Sequence, residues 1–306
     1  MSERELILKL FDSKGIDMSV VIREMFLGYK QRKQRRQLYS EDNTVPTTLL
    51  KMYFSLNPEE IEFESLKNAF VSRYIKNESK LEAVHSPEEI EGLREMYEYI
   101  HSDEIEDMFD IFTLKTLHEK LYSKTPYPEF GGSFRREPAR IKNCPSDLVP
   151  WYAIFSELKG LNDEVLFLKE VASFVREWRD PGILLDYLDQ CVVLGCNLIK
   201  IHPFADGNGR TVRGFVNKLL EDAGFPPVYI KAEERDEYHD AMGKAIGGGD
   251  YSEIKNFYRY KVCDSIIELD INERLKQEVH VPPMVDGVRV AKQKSDDLNK
   301  KPGLRK

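Results

Sequence analysis

The stretch Ile201-His-Pro-Phe-Ala-Asp-Gly-Asn-Gly-Arg-Thr-Val-Arg-Gly-Phe215 decides the reading of this chain. Upstream, GILLDYLDQCVVLGCNLI (182–199) repeats apolar residues at helical spacing, and that helix ends near Lys200. Downstream, Val212, Phe215, Val216, Leu219 and Leu220 recur at the same spacing, so a second helix begins at Arg210. Asp206-Gly207-Asn208-Gly209 is therefore a turn that enters a helix. Glycines allow positive φ and let a ligand approach the backbone. The exposed N–H groups of such a turn, with the helix dipole behind them, attract an anion.

The charged side chains fit that anion. Arg210 and Arg213 are three residues apart and share a helix face, and two guanidiniums suit a polyphosphate better than a single phosphate. Asp206 would repel a bare phosphate, so its place here calls for a Mg²⁺ between carboxylate and phosphate oxygens. His202 could take a proton from an incoming hydroxyl. Phe204 reads as the apolar anchor of the loop. Taken singly, each residue has an ordinary use: a core histidine, a turn-forming aspartate, a surface arginine. The conjunction of base, acid, glycine turn and two cations within twelve positions carries the reading.

Those positions match at every fixed place the signature H-x-F-x-[D/E]-G-N-G-R-x-x-R, and the chain resembles the Fic family, over roughly residues 110–270. The resemblance implies an all-α helical bundle with a small β-hairpin flap near the active site. It implies transfer of AMP from Mg·ATP to a Ser, Thr or Tyr hydroxyl of a protein, or of the enzyme itself, with release of pyrophosphate. Carried over by position, His202 is the base and Asp206 the Mg²⁺ ligand. Gly207, Asn208 and Gly209 hold α-phosphate oxygens, Arg210 the β-phosphate region and Arg213 the γ-phosphate. GGSFRREPARI (131–141) resembles the target-docking flap, with Ser133, Phe134, Arg135, Arg136 and Ile141 as its docking residues. YHDAMGKAIGGGD (238–250) looks like the helix and turn over the adenine, with Tyr238 as a nucleotide contact, although the asparagine many relatives carry there is absent. Gly209 separates this chain from a kinase branch that has lysine at that place.

Relatives with an inhibitory N-terminal helix carry [S/T]-x-x-x-E-[G/N], whose glutamate pairs with the last signature arginine. The counterpart here is Glu82 in Glu78-Ser79-Lys80-Leu81-Glu82-Ala83, with the serine displaced by one and Ala83 in place of Gly or Asn. The rival is Glu91, which precedes Gly92 but has Pro87 where the hydroxyl belongs. The expected function is thus a self-inhibited protein adenylyltransferase using ATP and Mg²⁺. The alternatives are a toxin with a separate antitoxin, a transferase of another nucleotide or of phosphocholine, and an ATP-binding regulator without turnover.

Bulk properties agree with this. The 306 residues are 41% hydrophobic and 32% charged, enough for a sizeable core, and the net charge of −8 argues against nucleic-acid binding by bulk electrostatics. None of the four cysteines forms a C-x-x-C pair, so neither zinc nor a redox dithiol is indicated, and Cys191 and Cys196 read as buried thiols. The charged start and the short apolar runs lead us to expect a cytoplasmic chain without a membrane span, with homodimerisation left open.

The expected organisation is an N-terminal helical region over 1–105, a catalytic domain over 106–270 and a partly flexible extension over 271–306. Helices are expected at 63–75, 88–100, 110–122 and 167–178 as well as around the signature. Ser86-Pro87-Glu88-Glu89 and Asp180-Pro181 read as helix starts. A basic run at Lys30, Arg32, Lys33, Arg35 and Arg36 reads as a solvated face or as a docking patch for an acidic partner.

Overall fold

The computed structural model describes residues 46–47, 50–51, 53, 63–105, 108–141, 148–277, 284–285 and 288–289. The basic run at Lys30–Arg36, Cys144 and most of the expected C-terminal extension lie outside them.

The described residues form α1 (Phe63–Leu81), α2 (Pro87–Ile100), α3 (Thr113–Tyr122), α4 (Ile154–Trp178), α5 (Pro181–Ile201), α6 (Asn208–Asp222), α7 (Arg235–Gly248) and α8 (Ser252–Gln277). The all-α reading holds. Both expected helix starts are caps: Ser86 Oγ accepts from Glu89 N at 3.4 Å, and Asp180 Oδ1 accepts from Gly182 N at 2.9 Å and Ile183 N at 3.1 Å. In each case proline follows at the first helical position, where its missing N–H leaves nothing unsatisfied.

α5 is the axis of the molecule. Its apolar residues are buried on several sides, including Leu184, Leu188, Cys191, Leu194 and Leu198, and α4, α6, α7 and α8 all pack on it. It is long and apolar enough to cross a membrane, with mean hydropathy 1.4 in its most apolar window, contrary to the sequence expectation; 67% of that window is buried inside the fold. Cys191, Cys196 and Cys263 are buried free thiols, as the apolar run around the first two indicates.

Residues 131–141 do not fold back as a hairpin. After a turn at Gly131-Gly132 the segment is tied to the signature loop by a single antiparallel bridge, Phe134 to Phe204, with Arg135 N donating to Pro203 O at 2.9 Å. The reason is that the strand-like residues find their partner in the loop after α5 rather than in each other. The paired strands among the described residues are two-residue pieces elsewhere, Met284–Val285 and Val288–Arg289.

Candidate active site

The site lies where α5 ends and α6 begins. His202 is the C-cap of α5 in the left-handed region (φ 51°, ψ 61°), and its N–H donates to Leu198 O at 3.0 Å. A residue with a Cβ takes up that conformation at a cost of roughly 1–2 kcal/mol. The ring is half-buried. Burial holds its pKa below the ordinary 6.5, against the opposing pull of the Ile199 carbonyl.

Gly207 (φ 73°) caps α6 and has no side chain to satisfy the first N–H groups of the helix. The loop behind them is fixed by Asn208, whose Oδ1 accepts from Phe204 N at 2.9 Å and whose Nδ2 donates to Phe204 O at 2.8 Å. The Asn208 side-chain amide is thus committed to the loop itself, which leaves only its backbone N–H for a ligand at the helix mouth. Phe204 is completely buried, in keeping with its reading as an anchor.

Both signature arginines are buried, and both hold acids from the N-terminal helices. Arg213 Nε donates to both carboxylate oxygens of Glu78 at 2.9 Å, while Nη2 lies 2.7 Å from Glu78 Oε2 and 2.5 Å from Glu82 Oε1. Burial alone would lower the Arg213 pKa, but Glu78 and Glu82 overcome it and push it well up, so the guanidinium stays charged. Burial pushes the Glu78 carboxyl up against the pull of Arg213; for Glu82, which is more exposed, Arg213 outweighs burial and the carboxyl is held down. Arg210 Nη1 donates to Glu89 Oε2 at 2.9 Å, and its Nη2 lies 3.4 Å from Asp206 Oδ2. A Cβ on Gly209 would stand 2.6 Å from Glu82 Oε1 and 2.8 Å from Arg213 Nη1, so the Glu82 carboxylate sits directly against the helix mouth.

Glu91 goes elsewhere: its side chain is 53% exposed and pairs with Arg94 at 3.5 Å. Tyr238 is buried beneath Arg213, its ring centroid 5.8 Å from the guanidinium carbon. Ser133 and Arg136 are exposed, and Phe134 and Ile141 half-buried. Arg135 turns inward instead of facing a target. Its Nε donates to His202 O at 2.7 Å, Nη1 to Glu137 O at 2.8 Å and Nη2 to Val149 O at 2.5 Å, and it thereby braces the backbone of the histidine.

Among the described residues there is no cluster of three or more His, Cys, Asp or Glu that could hold a metal. Magnesium needs no such cluster, because it takes one or two carboxylates together with substrate phosphates. Asp206 fits that use: its side chain is 79% exposed at the helix mouth, and Tyr122 Oη donates to its Oδ2 at 3.0 Å.

Sequence reasoning missed Glu78, Glu89, Tyr122 and His118. Burial pushes the His118 imidazole down to about 4, and its ring stacks on Phe204. Glu78 had a visible signal, since it lies one helical turn before Glu82 and so on the same face.

Residues 108–220 match the model of the Fic/DOC family. The chain is 33% identical over 180 residues to the protein adenylyltransferase Fic of Culex quinquefasciatus and 28% identical over 178 residues to that of Nematostella vectensis. Each match takes in 56% of this chain, and the chain spans only about a third of those relatives, 31% and 36%. Among solved structures, Fic-1 (residues 134–508) from C. elegans superposes with a TM-score of 0.55 at 18% identity, covering 89% of this chain and 78% of that one. A Fic domain containing signaling protein from Bacteroides thetaiotaomicron gives 0.54 at 18% identity, covering 78% and 98%. At those identities the superpositions establish the fold.

Proposed function

We propose, from the match of residues 108–220 to the Fic/DOC family model, that this chain is a protein adenylyltransferase held quiet by its own N-terminal helix. The observation that carries the proposal is a single loop in which a strained histidine adjoins an uncapped helix mouth flanked by two buried, charged arginines. His202 takes the proton of a Ser, Thr or Tyr hydroxyl as its oxygen bonds to the α-phosphorus of ATP. The bond from that phosphorus to the bridging oxygen breaks, and pyrophosphate leaves. Backbone N–H groups of Gly207, Asn208 and Gly209 receive α-phosphate oxygens, and Arg210 and Arg213 receive the charge on the leaving group. Asp206 would hold Mg²⁺, which supplies charge neutralisation between the phosphates. Tyr238, by its place under Arg213, belongs to the nucleotide side of the pocket. Segment 133–141 lies beside His202 and accepts the target backbone, in the manner of strand addition.

Glu82 is the inhibitory residue in this reading. It occupies Arg213 at the helix mouth, where a terminal phosphate would go. An inhibitor within the same chain removes the need for a separate antitoxin.

The test uses the Glu82→Gly protein with Mg·ATP labelled at the α or the γ position. Label transferred to protein from the α position alone, and lost in a Glu82→Gly, His202→Ala double variant, is the expected result. Transfer from the γ position alone would make the chain a kinase, and transfer from neither would leave it a nucleotide-binding regulator.

A further inference from the structure

His118 lies on the inner face of α3 and is 2% exposed. Its ring joins two segments that carry different halves of the proposed chemistry. Gly132 N donates to Nδ1 at 2.9 Å, and Nε2 lies 2.9 Å from the carbonyl oxygen of Asp206. An amide N–H can only donate and a carbonyl can only accept, so the two partners fix the tautomer with the proton on Nε2. The ring stacks on Phe204 with centroids 3.8 Å apart and planes 9° from parallel. It also backs the left-handed turn, since a Cβ on Gly207 would stand 3.2 Å from Nε2. Phe134, two residues past Gly132, bridges to the same Phe204.

We propose that His118 is a positioning residue that clamps the target-docking segment at Gly132 to the phosphate-binding loop at Asp206, so that the attacking hydroxyl and the α-phosphate are held in register. The catalytic part of this rests on the adenylyl-transfer reading; the clamp itself does not. A histidine that merely fills the core needs the stacked ring and nothing more. A clamp needs both nitrogens, each for a different segment.

Three variants separate the ends. His118→Asn keeps an acceptor near the Nδ1 position, for Gly132. His118→Gln keeps a donor near the Nε2 position, for Asp206. His118→Phe keeps the ring stack and neither bond. Each is made in the Glu82→Gly protein, and the catalytically inactive His202→Ala chain serves as acceptor in trans. Amide exchange at Gly132 should quicken in the Gln and Phe variants and stay slow in the Asn variant. With Gln, KM for the acceptor should rise about tenfold or more while KM for Mg·ATP stays within about twofold. With Asn, the ATP side should suffer instead. Equal losses on both sides in all three variants, in step with a fall in Tm, would reduce His118 to a packing residue. Unchanged Gly132 exchange in the Gln variant would also overturn the clamp. If no AMP is transferred even by the parent while exchange follows the variants as stated, the clamp stands and the adenylyl-transfer reading falls.

Discussion

His202 is held in a backbone conformation that a residue with a Cβ avoids, and the Arg135 side chain braces its carbonyl from below. Strain of this kind persists only where the surroundings over-determine it. Its titration has a direction. A general base must be unprotonated, and burial lowers the His202 pKa below 6.5, so the competent form survives to more acidic pH than a free imidazole would allow. The acid limb of the kcat/KM–pH profile of the Glu82→Gly protein, which reports the free enzyme, should therefore have an apparent pKa below 6.5; a limb at or above that value would remove His202 from the role. The signature was legible in the sequence because its residues are contiguous and local chemistry assigns them. Glu78 and Glu89 were not, because they meet their arginines across 135 and 121 residues of chain, and no local period records such a contact. Ala83 lies between the two cases. Sequence showed only that it departs from Gly or Asn; the structure shows why those residues belong there, since Ala83 ends α1 at φ 55°. It forms a Schellman turn in which Val84 N donates to Ser79 O at 2.8 Å.

At the level of elements, the site depends on how closely α2 approaches α3, because α2 brings Glu89 to Arg210 and α3 brings His118 and Tyr122 to the loop. Gly92 sets that approach: a Cβ there would stand 2.0 Å from the carbonyl oxygen of Leu121. Backbone cannot swing aside as a side chain does, so Gly92→Ala must push the helices apart. We expect a loss of about 3 kcal/mol in unfolding free energy, read by urea denaturation. A change under about 0.5 kcal/mol would show the α2–α3 contact to be looser than this. Strongly periodic helices were readable, and most of their ends fall within a few residues of expectation, although α1 runs on past 75 to Leu81 and α3 begins only at Thr113 rather than at 110. α4 was the exception, beginning at Ile154 rather than near 167. Its first half exposes Phe155 and Leu166 among charged residues, which blurs the apolar stripe on which such a reading depends. The flap misled for a related reason. Short alternation signals an extended segment but does not name its partner, and here the partner is Phe204.

For the molecule as a whole, the proposed function sets α1 and a bound nucleotide in competition for one guanidinium, that of Arg213, which α1 already holds. Glu78 is wholly buried on Arg213, while the Glu82 side chain is 27% exposed, so only the outer carboxylate can give way without opening the core. In the proposed mechanism the binding-competent form of the resting chain is a minor population, and the apparent nucleotide affinity is lowered by that fraction. Glu82→Gly removes the competitor and leaves Glu78 to keep Arg213 in place. Without nucleotide the variant should melt slightly below the parent, having lost a partly buried ion pair. With nucleotide the order of the shifts should reverse. A ligand at a hundred times its Kd stabilises the form it binds by about 2.7 kcal/mol, which for a chain of this size is a Tm rise of roughly 5 °C. Mg·AMPCPP, whose methylene bridge between the α- and β-phosphorus blocks the cleavage that AMP transfer requires and keeps the γ-phosphate, should give that rise in Glu82→Gly and a much smaller one in the parent at the same concentration. AMP, which has no terminal phosphate to meet Arg213, should shift the two proteins equally. Equal shifts with Mg·AMPCPP would mean that Glu82 does not stand in the path of the phosphates.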